Sequence, residues 1–145
     1  MATILVSRLV QLSPDAIVHS DMLRTRGIAE RAAKLLSIEA QADPLWRERN
    51  FGSWEGRSWH AIYRETGNAM DGMLSDPIGF RPGGGETTAE LVSRSVQLWH
   101  DLARDKNIAV IAHGGPIAAI LADKNAAAFH LLPDYIPEPG SITKV

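Results

Sequence analysis

The chain of 145 residues contains no cysteine. That removes disulfides, thiolate zinc sites and cysteine nucleophiles together, and leaves the redox compartment open. A dominant charge is also missing: fifteen Lys and Arg against seventeen Asp and Glu leave a formal charge of -2. There is therefore no overall basic field of the kind that holds nucleic acid or an anionic membrane, and any anion site must be local. No segment approaches the roughly 20 apolar residues that span a bilayer. Met1 to Val6 is too short and lacks the basic flank of a signal peptide. The expectation is a soluble, cytoplasmic protein with neither nucleic-acid nor membrane partners. No internal repeat, low-complexity tract or linker divides the chain. Its 45% hydrophobic and 22% charged residues are ordinary globular usage, so residues 1–145 read as a single domain.

Two short runs, Asp15 to His19 and Asn107 to Ala112, are nearly continuous in apolar residues, and each is followed by polar residues and a helix-like stretch. Buried parallel strands have this form. Ala2 to Val6 is a third candidate strand and Ser141 to Val145 a fourth. Arg24 to Leu36 and Thr87 to Ala103 carry apolar residues at helical spacing; in the second, Leu91, Ser95, Leu98 and Leu102 line one face, with Glu90, Arg94 and Asp101 elsewhere on the wheel. The alternation of strand and helix predicts an α/β sheet covered by helices. Between these blocks, Asp43 to Phe80 is rich in Trp, Arg, Glu and Gly without a sustained period, and long irregular stretches of this kind are often functional.

His113 ends an apolar strand and is followed by Gly114, Gly115 and Pro116, the last tolerated in a first helical turn. In open α/β sheets this edge is where ligands bind, and glycines let backbone N–H groups approach an anion there; the competing reading is a His that caps the turn. Arg24 follows the other strand. A helix starting near Ser20 or Asp21 would carry it about one turn in, able to reach the same edge with a planar fork of donors, or else simply solvated, with Ser20 and Asp21 as caps. Glu48 lies among Trp46, Arg47, Arg49 and Phe51, where it reads either as a proton donor or as part of a charged surface loop. Pro82 to Glu86 resembles a phosphate cradle only loosely and reads equally as a turn with a helix cap. His60, His100 and His130 have no partner at metal-ligand spacing and no metal is assigned. Trp46, Trp54, Trp59 and Trp99 read as core or pocket wall.

Taken in order, four segments resemble the histidine phosphatase superfamily, also called phosphoglycerate mutase-like. They are Ser20-x-x-x-Arg24-Thr25 after a strand, Glu48-x-x-Phe51-Gly52-x-Trp54-Glu55-Gly56, Gly84-Gly85-Glu86 leading to a helix with Arg94, and His113-Gly114-Gly115 after a buried strand. The chain looks most like the small cofactor-independent phosphatases that act on sugar phosphates, phosphoglycerate derivatives or cobalamin-precursor phosphates. The resemblance implies a mostly parallel sheet with helices on both faces, and a reaction in which an active-site His attacks phosphorus, a phosphohistidine forms and water releases phosphate. On that pattern Arg24 and the Gly114 backbone hold the phosphoryl oxygens. Glu48 protonates the leaving oxygen, and His113 binds the phosphoryl group and stabilises its developing charge. No metal or cofactor is required, because phosphoryl transfer depends on positioning and charge stabilisation.

One element of the family pattern is absent: the Arg-His-Gly triplet that carries the nucleophile directly after the first strand. After Ile4-Leu5-Val6 comes Ser7-Arg8-Leu9. A direct alignment puts Arg8 in the nucleophile's place, where a protonated guanidinium cannot attack. Alternatively, Arg8 to Leu12 resembles the end of the family's first helix, with the loop and most of that helix missing between Val6 and Ser7. On this reading part of the first strand-loop-helix unit is lacking, and the chain also stops soon after its last strand begins. His19 is the nearest substitute. The expectation is a phosphomonoesterase-like protein that is impaired or inactive as written, a truncated enzyme or a pseudoenzyme. The alternative is a regulatory module that binds a small phosphorylated metabolite without turnover.

Overall fold

A computed structural model describes residues 1–145. Its sheet has three parallel strands, β1 (Ala16–His19), β2 (Ala40–Ala42) and β3 (Ile108–Ile111), in the order β2-β1-β3. Helix α2 (Leu23–Leu36) connects β1 to β2. The connection from β2 back to β3 holds α3 (Trp59–Thr66), the single turn α4 (Gly72–Ser75) and α5 (Thr88–Asp101). Helix α6 (Gly114–Lys124) follows β3 and leads to a 3-10 helix, Phe129–Tyr135. No helix is long and apolar enough to cross a membrane.

The N-terminus corrects one expectation. Residues 2–6 are not a strand; α1 spans Ala2–Leu12. Within a five-residue window Ala-Thr-Ile-Leu-Val matches either period, but continued to Leu12 the apolar positions fall one helical turn apart, and Val6 and Leu9 are the two buried ones. Val6 and Ser7, between which the family's loop and most of its first helix would be missing, both lie within α1. Ser141 to Val145 forms no strand either; Ile142 packs on the core with no ladder partner.

Two cores result. Val6 and Leu9 of α1, Ile17 of β1, Ile111 of β3 and Ala29, Ala32 and Ala33 of α2 form the first. Alanines on the inner face of α2 let its backbone approach both α1 and the sheet. The second joins Leu91 of α5 to Ala118, Ala119 and Ala122 of α6 and to Leu132. Helix α5 begins with a complete capping box, in which the Thr87 side chain accepts from Glu90 N and the Glu90 side chain accepts from Thr87 N.

The layer between β2 and α5 is the irregular stretch foreseen, a series of 3-10 turns and short helices. Its glycines serve backbone packing. A Cβ on Gly83 would fall on Phe51 O, with Trp54 N at 2.7 Å, and one on Gly52 would fall on Gly83 O; both residues have positive φ. Only glycine allows the two loops to meet at this distance, so Pro82 to Gly85 acts as a spacer between turns and not as a phosphate cradle.

Candidate active site

Parallel pairing sets the distance between the two strand ends. His19 lies opposite Ile111 in the β1–β3 register, and Ser20 N donates to Ile111 O at 3.0 Å. The residues that follow each strand therefore emerge side by side. Ser20, wholly buried, accepts from Thr25 Oγ1 through its carbonyl at 2.9 Å and from Met22 N through Oγ at 3.3 Å. These bonds turn the chain sharply into α2. The helix starts at Leu23 with Met22 as its N-cap, later than expected, and Asp21 pairs with Arg47 through two contacts of 2.6 and 2.5 Å.

Arg24, at the second position of α2, reaches across to His113: Nε lies 3.1 Å and Nη2 2.9 Å from His113 Nδ1. A guanidinium only donates, so Nδ1 accepts. The neutral ring then carries its proton on Nε2, which donates to Ser20 Oγ at 2.9 Å. Burial lowers the His113 pKa below the ordinary histidine value, and the adjacent Arg24 charge lowers it further, with Glu48 opposing. The ring is thus held neutral beside a fixed cation, next to the start of α6, whose first backbone N–H groups are those of Gly114 and Gly115.

Glu48 arrives from the loop after the 3-10 turn Pro44–Trp46. Asp43 caps that turn by accepting from Leu45 N at 2.8 Å, and buried Trp46 anchors it. The carboxylate accepts from Gly115 N, at 3.1 and 3.2 Å to its two oxygens, and from Arg49 N at 2.9 Å. An added Cβ on Gly115 would fall on Glu48 Oε1; this glycine makes room for the acid. Glu48 is thereby held two residues along the chain from His113. Arg24, Glu48, His113 and Gly114 meet at one end of the sheet.

The sequence reading named Arg94 without a role. It forms a twofold ion pair with Glu86, at 2.6 and 3.0 Å, and donates to Leu45 O at 2.6 Å and Glu48 O at 3.2 Å. Arg94 thus clamps the loop that presents Glu48. Arg49 is named in the sequence only as a neighbour of Glu48. It is 7% exposed, donates from Nη2 to Thr88 Oγ1 at 3.1 Å, and its Nη1 is the single buried side-chain nitrogen without a hydrogen-bond partner. His19 is buried on the same face of β1 as Ile17; its Nδ1 donates to Ser20 O at 2.7 Å, and its ring shares no hydrogen bond with Arg24, Glu48 or His113. His60, His100 and His130 are exposed. No three His, Asp or Glu side chains are grouped as metal ligands.

The family model for the histidine phosphatase superfamily (branch 1) matches residues 1–145. The chain belongs to the histidine phosphatase superfamily. It is 28% identical over 120 residues to glucosyl-3-phosphoglycerate phosphatase of Mycobacterium tuberculosis, covering 75% of this chain and 53% of that one. It is 30% identical over 112 residues to the metal-independent phosphoserine phosphatase of Arabidopsis thaliana, covering 74% and 47%. The chain spans about half the length of the curated relatives it matches. A solved mycobacterial glucosyl-3-phosphoglycerate phosphatase complexed with VO3 superposes with a TM-score of 0.78 at 26% identity, covering 92% of this chain and 68% of that one. The α-ribazole phosphatase of Shigella flexneri, at 20% identity, shares the fold with a TM-score of 0.81 over 96% of this chain and 70% of its own.

Proposed function

We propose that these residues bind the phosphoryl group of a small phosphate monoester between Arg24, His113 and the Gly114 backbone, with Glu48 placed to protonate a leaving oxygen. None of the five histidines, at 19, 60, 100, 113 and 130, stands between Arg and Gly, so the chain as written holds its ligand with little or no turnover. The contact of Arg24 with His113 carries this reading. A neutral imidazole accepts from the guanidinium only for want of a better acceptor. A phosphate oxygen brings negative charge and replaces that contact with charge-assisted hydrogen bonds. Solved relatives in complex with VO3 and with inorganic phosphate support the reading.

Calorimetry with inorganic phosphate and turnover of 4-nitrophenyl phosphate test it together. Phosphate binds, and Arg24→Ala weakens it about tenfold or more, the range for a hydrogen bond to a charged group. Because burial and Arg24 hold the His113 pKa down in the free protein, a bound anion raises it, which a histidine NMR titration reads directly; an unmoved His113 counts against the site. Robust hydrolysis lost in His113→Ala but kept in His19→Ala would show that a missing nucleophile does not limit this chain.

A further inference from the structure

Beside the anion site lies a cavity of about 470 Å³ that shares Glu48, Gly114 and Gly115 with it but has neither Arg24 nor His113 in its wall. The wall is made by Phe51, Trp59, Met70, Met73, Leu74 and Ile136. Polar side chains are few. Thr88 has no free donor, because its hydroxyl donates to Met73 O at 2.8 Å while accepting from Arg49. Asp71 is exposed. Phe51 and Trp59 meet edge to face at 5.4 Å, giving a fixed aromatic corner. Arg49 lines the same cavity, with its unpaired Nη1 enclosed behind the wall and offering no surface to it.

We infer that this cavity receives the leaving group, and that it selects an aryl or alkyl alcohol over a sugar. The inference rests on the phosphate reading above. A ligand that places phosphorus at Arg24 and His113 and its ester oxygen at Glu48 must direct the rest of its body along Glu48 and Gly114, into this wall. A sugar's several hydroxyls would lose water there and find too few partners, a strong ground for rejection, whereas an apolar body gains by burial.

Equilibrium binding tests this without any need for turnover, with inorganic phosphate, a phosphonate and a sugar phosphate as probes. Phenylphosphonate is expected to bind about tenfold more tightly than inorganic phosphate, a fraction of what burying a ring allows; glucose 6-phosphate gains nothing over phosphate. Trp59→Ala, at an exposed position that leaves the fold intact, removes the phenyl gain and leaves phosphate affinity unchanged. Equal affinity for phenylphosphonate and phosphate, or a glucose 6-phosphate gain as large as the phenyl one, overturns the cavity assignment while the phosphate reading stands. Phenylphosphonate held by a protein with no affinity for phosphate removes the phosphate reading and retains an aryl site. Absence of binding by every probe removes both.

Discussion

Side chains hold the helices around the sheet, whereas backbone contacts and arginine clamps hold the layer between β2 and α5. In the first region buried residues recur at regular spacing: Val6 and Leu9 on α1, Ala29, Ala32 and Ala33 on α2, Ala118, Ala119 and Ala122 on α6. In the second the buried apolar residues Trp46, Trp54 and Ile62 belong to neither core cluster. Order there comes from Gly52 and Gly83 in mutual contact, from Asn50 O accepting from Glu86 N at 2.8 Å, and from Arg94 reaching back to Leu45 and Glu48. The Glu48 end of the site is built by this second region, and the Arg24 and His113 end by the first.

If the contrast is sound, the smallest side-chain addition in the irregular layer should cost more than a large deletion in a core. Gly83→Ala, which adds a Cβ where Phe51 O already lies and at positive φ, is expected to destabilise by about 4 kcal/mol in urea unfolding. Leu91→Ala, emptying the α5–α6 core at a residue 1% exposed, should cost about 3 kcal/mol. Arg94→Met leaves Glu86, whose side chain is 13% exposed, without its partner. About 2 kcal/mol is expected, with a greater loss of affinity for ligands that contact Glu48 than for inorganic phosphate. Gly27→Ala is the counter-test: it lies in α2 with nothing within 4 Å of an added Cβ, and should stabilise by about 0.5–1 kcal/mol. If Gly83→Ala proves as mild as Gly27→Ala, the layer is not held by close backbone approach.

The same division governs what could be read from the sequence. α2 and α5 were legible because each buries one face and so writes a helical period into the chain, and β1 and β3 because their apolar residues are nearly continuous. α1 was not, since the window read as a strand ended at Val6, before Leu9 could reveal a helical repeat. Arg24 and His113 were legible because they follow strands whose ends the parallel ladder brings together. The work of Arg94 was hidden, because the carbonyls it holds lie 49 and 46 residues away and an arginine on the polar side of a helical wheel looks solvated. Arg49 was hidden for a related reason: in a loop of alternating charges nothing marks which guanidinium is enclosed. The triple glycine invited a phosphate reading because close approach to a ligand and close approach to another loop demand the same absence of a Cβ.

The hydrogen-bonded register of β1 on β3 also determines where this protein can change its length. An extra residue within either strand would shift one member of the Arg24–His113 pair by a full step along the ladder and reverse which way its neighbours point. The exposed turn at residues 103–107, which enters β3 from the opposite end, can take insertions without altering that spacing. Loops at that pole are free to diverge; the strands that separate them from Arg24 and His113 are not.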